Sequence, residues 1–110
     1  MEAALRAIAE PRRREILRLV WDAEMSAGEI ASHFDVSRPA ISQHLKVLRE
    51  AGLVDERREG TRRIYHASSD GLADLRASLD RFWGEALSTL KREAEAEERR
   101  TRALARRHRT

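Results

Sequence analysis

The sequence of 110 residues contains no cysteine. That absence excludes disulfide bonds, thiolate metal sites, cysteine nucleophiles and thiol-based redox switching. The sequence also lacks an apolar run of membrane-spanning length, and Arg6 and Glu10 interrupt its opening. We therefore predict neither a signal peptide nor a transmembrane segment, and a cytosolic location is the default expectation.

The signatures of an enzyme are missing as well. There is no glycine-rich phosphate loop, no Ser/His/Asp arrangement at a recognisable spacing, and no carboxylate pair on apolar ground. We therefore predict a protein without catalytic activity and without a cofactor.

The composition indicates a small, helix-rich globular protein. Charged residues make up 37% of the chain and hydrophobic residues 41%, a balance that argues against disorder. A chain of this length forms one modest core, so a partner subunit would add useful buried surface. Lysine is scarce, because Lys46 and Lys91 are the only two and arginine supplies the remaining positive charge.

The positive charge is unevenly distributed along the chain. Residues 91–110 carry eight basic and four acidic side chains, a net charge of +4, whereas residues 1–90 sum to −1. Within the body, residues 37–66 carry seven bases and four acids. A solvated charged face explains such an excess as readily as nucleic-acid binding does, so placement on the fold decides between them.

Helical patterns dominate the first half of the sequence. Residues 2–9 are predicted as a short helix with Leu5 and Ile8 on one side, and residues 12–23 as a second helix. Ser26 and Glu29 form a capping-box pattern at the start of a third helix.

The third helix leads directly into a fourth. Its apolar stripe reaches Phe34, and Ser37 then serves as the N-cap of the fourth helix, which Gly52 stops. Two short helices joined by a tight turn predict a helix-turn-helix unit.

The pattern changes after Gly52. Residues 53–58 and 62–67 are predicted as two strands joined by a turn that contains Gly60. Asp70 is the expected cap of a last helix. That helix carries an apolar stripe consisting of Leu72, Leu75, Leu79, Phe82, Trp83, Ala86, Leu87 and Leu90. The predicted fold class is mostly α with a small β-hairpin, in the order of a winged helix-turn-helix.

The fourth helix and the hairpin form the candidate recognition surface. On a helical wheel, residues 38–51 place their polar side chains in an arc of roughly 140°, which includes Arg38, Ser42, Gln43 and Lys46. Such groups can bond base edges and phosphates in a DNA major groove. An ordinary solvated face is an equally open interpretation of this helix taken alone.

The hairpin favours the DNA interpretation. Its turn is flanked by Arg57, Arg58, Arg62 and Arg63. Four arginines so close together repel one another unless negative charge is near, and a DNA backbone or narrow minor groove supplies that charge. Alternatively, the charges protect an exposed strand edge from pairing. His44 falls in the apolar arc of the helical wheel, so we interpret it as a packed, hydrogen-bonded structural residue rather than a DNA contact or metal ligand.

Four stretches of the sequence resemble a known pattern. Residues 7–17 (AIAEPRRREIL) resemble the opening of the ArsR/SmtB family of bacterial repressors, and residues 37–48 (SRPAISQHLKVL) resemble its recognition helix. Residues 51–54 (AGLV) and 57–60 (RREG) resemble its lead into the wing. The likeness covers residues 3–90.

The resemblance implies a homodimeric winged-helix repressor that dimerises through its first and last helices and binds a palindromic DNA operator. The residues it implies for DNA binding are Ser37, Arg38, Pro39, Ser42, Gln43 and Lys46 in the recognition helix and Arg58, Arg62 and Arg63 in the wing.

The apolar stripe of the last helix supports a dimer independently. It is too long for a domain of this size to cover, and an exposed apolar patch of that extent usually marks an interface. Alternatively, part of the stripe packs against other residues of the same chain and takes no part in a dimer. The predicted interface residues are Leu5, Ile8, Leu79, Phe82, Trp83, Leu87 and Leu90. A two-fold dimer would address half-sites about one helical turn apart.

Metal sensing, which many members of the resembled family perform, is not expected. The last helix has Asp70, Asp74 and Asp80 but no paired histidines, since His108 lies in the tail. The scattered histidines of the body are His33, His44 and His66. Three signals stay open: a small organic effector in an apolar dimer cavity near Trp83, no ligand at all, or release by a protein partner.

Two rival functions also stay open. The helix-turn-helix could be the scaffold of a protein-interaction module with the charged tail as a docking helix, or the tail could bind the nucleoid non-specifically. We divide the chain into a DNA-binding and dimerisation domain, residues 1–90, and a charged helical extension, residues 91–110, either ordered or frayed. Whether the basic tail touches DNA is left open.

Overall fold

The computed structural model describes residues 1–107. In chain order, the elements are α1 (Glu2–Ala9), α2 (Pro11–Leu19), β1 (Met25–Ser26), α3 (Ala27–Ala31), α4 (Arg38–Glu50), β2 (Val54–Glu59), β3 (Arg62–Ala67) and α5 (Ser69–Arg107). The chain forms two compact units, Met1–Arg76 and a second unit that begins at Ala77, within α5.

The first unit contains an antiparallel sheet in the order β1-β3-β2. Strands β2 and β3 pair from Val54 opposite Ala67 to Glu59 opposite Arg62, which leaves a two-residue turn where Gly60 has a φ of 65°. The predicted hairpin is thus confirmed. Strand β1 was not predicted, because two residues are too few to show a period.

The helix-turn-helix prediction is confirmed down to its caps. The Ser26 hydroxyl accepts the amide of Glu29 at 3.2 Å, and the Glu29 carboxylate accepts the amide of Ser26 at 3.3 Å, which completes the capping box. The Ser37 hydroxyl accepts the amide of Ala40 at 3.3 Å, and Gly52 ends α4 with a φ of 77°. The fully buried core beneath these helices includes Ile16, Val20, Ile30, Ile41, Leu45, Leu48 and Leu53.

Three helix ends differ from the prediction. Helix α2 ends at Leu19 instead of residue 23, because the carbonyl of Val20 accepts the amide of Ala67 at 2.8 Å and ties the chain to β3. Helix α3 ends at Ala31, short of Phe34. Asp70 is not the cap of α5 but lies in its first turn, where a negative charge favours the helix dipole.

Ser68 caps the start of α5 by accepting a backbone amide of its first turn. Its buried hydroxyl accepts the amide of Gly71 at 3.1 Å. A serine oxygen is a strong N-terminal acceptor, and here it precedes the first helical residue, Ser69. The helix then continues past Leu90 as far as Arg107.

Two arginines at the start of α2 stabilise the end of α1. Arg13 and Arg14 carry positive charge where it opposes the dipole of their own helix, but their guanidinium groups reach the C-terminal end of α1, where positive charge is favourable. Arg13 Nη1 donates to the carbonyls of Arg6 and Ala7 at 3.2 and 3.4 Å, and Arg14 Nη1 to those of Ile8 and Ala9 at 2.6 and 3.2 Å. These arginines therefore have an internal structural role.

Candidate nucleic-acid interface

Helix α4 has a buried apolar side and an exposed polar side. Ile41, Leu45 and Leu48 are fully buried, which fixes how the helix lies on the core. The opposite side exposes Arg38, Ser42, Gln43 and Lys46, as the helical wheel predicted. The helix therefore presents hydrogen-bond donors and acceptors together with the cations Arg38 and Lys46.

A cleft of about 710 Å³ separates this polar side from the wing, which we define as β2, β3 and the Gly60-Thr61 turn. The cleft is lined by Ser26, Ala27, Arg38, Pro39, Ser42, Gln43, Lys46, Arg49, Thr61, Arg62, Arg63 and Tyr65. Of the residues predicted to bind DNA, only Ser37 and Arg58 are outside this lining. The Ser37 hydroxyl is used as the cap of α4, and Arg58 is an exposed wing residue opposite Arg63.

The lining includes residues that the sequence did not single out for DNA binding. Arg49 belongs to the polar side of α4, so its position on the helix could have indicated a place in the cleft. Thr61 belongs to the wing turn, and its position there could have indicated the same. Ser26 and Tyr65 reach the cleft through pairing of β1 with β3, a non-local contact that no local pattern indicates.

Several wing arginines already have acidic partners within the protein. Arg57 Nη1 donates to Glu59 at 2.8 Å and its Nη2 to Glu24, while Arg62 pairs with Glu29 across to α3. Arg63 Nε lies 3.6 Å from a carboxylate oxygen of Glu56. The expectation that these arginines need external counter-charge is therefore wrong for Arg57, Arg62 and Arg63. Within residues 1–107, in contrast, no ion pair engages Arg38, Lys46 or Arg58.

These partnerships extend the ionisation of the two acids to lower pH. The hydrogen bond from Arg57 holds the pKa of Glu24 below its ordinary value. For Glu29 the hydrogen bond from the Ser26 hydroxyl lowers the pKa most, followed by the Ser26 amide and by Arg62. At neutral pH both carboxylates are charged, so the cleft margin contains ion pairs as well as uncompensated cations.

His44 has the structural role that its place on the wheel predicted. Its ring is three-quarters buried, and Nδ1 accepts a hydrogen bond from Arg13 Nε at 3.3 Å. The interaction connects the recognition helix to α2 and is directed away from the polar side of α4. The prediction of a packed, hydrogen-bonded histidine is confirmed.

Comparison with known proteins agrees with this geometry. A family model described as bacterial regulatory protein, arsR family, matches residues 10–56, which contain the whole helix-turn-helix unit. The HTH-type transcriptional regulator Rv2034 of Mycobacterium tuberculosis is 48% identical over 87 residues, which cover 79% of this chain and 81% of that relative. The chain belongs to the ArsR family of bacterial regulatory proteins.

Further relatives support membership of the ArsR family. The transcriptional repressor SdpR of Bacillus subtilis is 39% identical over 74 residues, 67% of this chain and 82% of that protein. The solved structure of an ArsR-like transcriptional regulator from Rhodococcus sp. RHA1 superposes with a TM-score of 0.72 at 32% identity, over 86% of this chain and 90% of that chain. The predicted winged helix-turn-helix fold, the family and a role in DNA-binding transcription regulation are confirmed.

The residues predicted for the dimer interface lie in both compact units. Leu5 and Ile8 in α1 are half-buried in the first unit, and Leu79 is half-buried in α5. In the second unit, Phe82 and Trp83 are 52% and 58% exposed and meet edge to face with ring centroids 5.9 Å apart. Leu87 and Leu90 are exposed on the same helix.

Other ArsR-family relatives carry names that refer to metals or metalloids, such as the arsenical resistance operon repressor of Staphylococcus xylosus. In the part of this chain that the structure describes, no three His, Cys, Asp or Glu side chains converge on a possible metal position. The remaining histidine, His108, lies outside the described residues.

Over residues 1–107, no helix is both long and apolar enough to cross a membrane.

Proposed function

We propose that this ArsR-family protein is a homodimeric repressor that binds a palindromic operator, without a catalytic step and without a metal effector. The observation that supports this most is the cleft between α4 and the wing. It opens between the exposed donors of the recognition helix and two arginines of the wing, on a scale suited to a duplex backbone.

Individual residues are assigned by their position around the cleft. Arg38 and Gln43 lie at the N-terminal half of α4, where such helices reach base edges, so we assign them to base recognition together with Ser42. Lys46 is assigned to phosphate. Arg58, Arg62 and Arg63 contribute backbone or minor-groove affinity, and Ser37 and Pro39 shape the start of the helix.

When DNA binds, a phosphate competes with Glu29 for Arg62. In the free protein its guanidinium pairs with Glu29, and both side chains are more than half exposed. An exposed pair of this kind contributes little stability, so a phosphate can replace the carboxylate. Arg38 and Lys46 require no such exchange.

The dimer is proposed on the apolar stripe of α5. Phe82, Trp83, Leu87 and Leu90 expose more than half of their surface, and a second copy of the chain is the partner that the two-fold family architecture provides. The predicted division at residue 90 stays a prediction, as does the nature of the signal. A small organic effector near Trp83, control by abundance, and release by a protein partner each fit a chain without cysteine.

The test is selection of bound fragments from the source genome by the purified full chain, at controlled salt. We expect the selected fragments to share a palindrome with half-sites about one helical turn apart, and their affinity for the protein to fall steeply as the salt concentration rises. Salt-dependent capture without sequence preference would favour non-specific nucleoid binding instead. Failure to retain any DNA would favour the protein-interaction module.

A further inference from the structure

One carboxylate links the end of the recognition helix to the wing. The side chain of Glu56 in β2 is only 15% exposed. Its Oε2 accepts a hydrogen bond from Arg49 Nη1 of α4 at 2.5 Å, and its Oε1 lies 3.6 Å from Nε of Arg63 in β3. Each oxygen of the carboxylate therefore holds one arginine, and the two arginines come from the two walls of the cleft.

The surroundings of Glu56 keep this arrangement behind the cleft surface. Glu56 lies opposite Tyr65 in the β2–β3 register, and burial raises the pKa of the Tyr65 hydroxyl, with the negative charge of Glu56 adding to the effect. Among the described residues, Arg49, Arg63 and Tyr65 line the cleft, whereas Glu56 does not. The cations thus face the space that DNA would enter, and the anion that orients them stays behind.

We propose that Arg49 is a further phosphate-binding residue and that Glu56 is a positioning residue that sets the spacing between recognition helix and wing by holding Arg49 and Arg63. This inference rests on the proposed binding of DNA in the cleft. A guanidinium has five N–H donors, so Arg49 keeps donors for a phosphate after bonding Glu56. The Arg49 side chain is 42% exposed, so part of it is accessible to a phosphate.

Fixing the two arginines before DNA arrives lowers the entropy lost on binding. Long arginine side chains are among those that lose the most conformational freedom when ordered. Glu56 orders them in the free protein, so the complex forms with less of that loss. A simple electrostatic view gives the opposite sign, because removing an acid near DNA reduces repulsion and tightens binding. The sign of the effect of a Glu56 variant therefore separates positioning from bulk charge.

The experiment measures affinity of the full chain for a duplex recovered by genomic selection, over a series of salt concentrations. Glu56→Gln keeps the side-chain shape and removes the charge, and Glu50→Gln is the matched control. Glu50 is exposed at the end of α4, and no ion pair within residues 1–107 engages it. Circular dichroism melting establishes that each variant is folded.

We expect Glu56→Gln to weaken binding by about fivefold or more and to reduce the salt slope by about one unit, as the loss of one phosphate contact would. Glu50→Gln should bind as tightly as the unchanged chain or more tightly. Arg49→Gln should show a loss of similar size. The double variant should lose less affinity than the sum of the two single losses, because Glu56 acts partly through Arg49 and partly through Arg63.

Tighter binding by Glu56→Gln, an unchanged salt slope, or additive losses in the double variant would overturn the inference. The Lys46→Gln variant distinguishes failure of the positioning role from failure of the proposed DNA interface. If it weakens binding while the Glu56 and Arg49 variants do not, only the positioning role is wrong. If Lys46→Gln, Arg49→Gln and Glu56→Gln all leave affinity unchanged, the cleft is not the DNA interface and the proposed residue assignments are wrong too.

Discussion

At the scale of single residues, arginine connects parts of the chain that lysine could not connect as well. Arg13 bonds two carbonyls of α1 and the ring of His44, which requires several donors in a fixed fork. Arg12 lies over the Phe34 ring, with 5.2 Å between the guanidinium carbon and the ring centroid. Arg12 and Arg13 therefore serve internal contacts.

Gln43 tests base recognition at this scale. Because it lies on the polar side of α4 and lines the cleft, Gln43→Ala should change the relative affinities for operator variants by about 1–3 kcal/mol at one position. Arg63→Ala is the contrasting variant, which should weaken all duplexes alike and flatten the salt slope by about one unit. A uniform loss from Gln43→Ala, with the preference among duplexes unchanged, would show that Gln43 does not read bases.

Gly71 tests packing at this scale. A Cβ at this position would lie 1.7 Å from the carbonyl oxygen of Gly52, so Gly71→Ala must displace the junction between α4 and α5. We expect a loss of about 1–3 kcal/mol in the free energy of unfolding, measured by chemical denaturation. Gly84→Ala is the control, since among the described residues its added Cβ meets nothing within 4 Å beyond its chain neighbours and its own helix backbone, and it should be neutral or stabilising. Equal effects of the two substitutions would contradict the close approach.

At the scale of elements, local signals predicted well and contacts between elements did not. Ser26, Ser37 and Gly52 act within a few residues of the helix ends that they define, so the sequence alone located α3 and α4. The end of α2 was misplaced because a hydrogen bond to Ala67, far along the chain, decides it.

The candidate site follows the same division. The polar side of α4 could be predicted from helical periodicity, because the period alone separates buried from exposed positions. The ion pairs that join Glu29 to Arg62 and Glu56 to Arg49 could not be predicted, since they depend on how β2 and β3 lie against α3 and α4.

The capping box of α3 makes a pH-dependent prediction. Hydrogen bonds from Ser26 lower the pKa of Glu29 in the folded protein below its ordinary value of 4.5, so its stabilising effect is present above that value and is lost as pH falls through the lowered folded-state pKa. Glu29→Gln should therefore be less stable than the unchanged chain at neutral pH, and the difference should shrink in acid below about pH 4.5. Thermal melting across pH 3–7 measures this.

Ser26→Ala provides the companion variant. Losing the hydroxyl that accepts the Glu29 amide should cost about 1 kcal/mol at neutral pH. A Glu29→Gln difference that stays constant from pH 7 to pH 3 would show that ionisation of Glu29 plays no part in stabilising α3.

At the scale of the whole molecule, the apolar stripe of α5 tests the dimer. Trp83 is 58% exposed in the single chain, so it is available to a second copy. Trp83→Arg should give monomers in sedimentation velocity, because the dimer would bury an unpaired charge. Ser88→Arg places the same charge at an exposed position outside the predicted interface and should leave the dimer intact. An intact dimer with Trp83→Arg would remove Trp83 from the interface.

The two-fold arrangement on DNA is the central claim, and half-site spacing tests it most directly. The measurement compares the affinity of the full chain for the selected operator with its affinity for the same operator carrying five additional base pairs between the half-sites. Five base pairs turn one half-site by about half a helical turn, so a dimer with two fixed recognition helices cannot reach both. We expect affinity to fall to that of a duplex of the same length with a single half-site, and an unchanged affinity would contradict the two-fold arrangement.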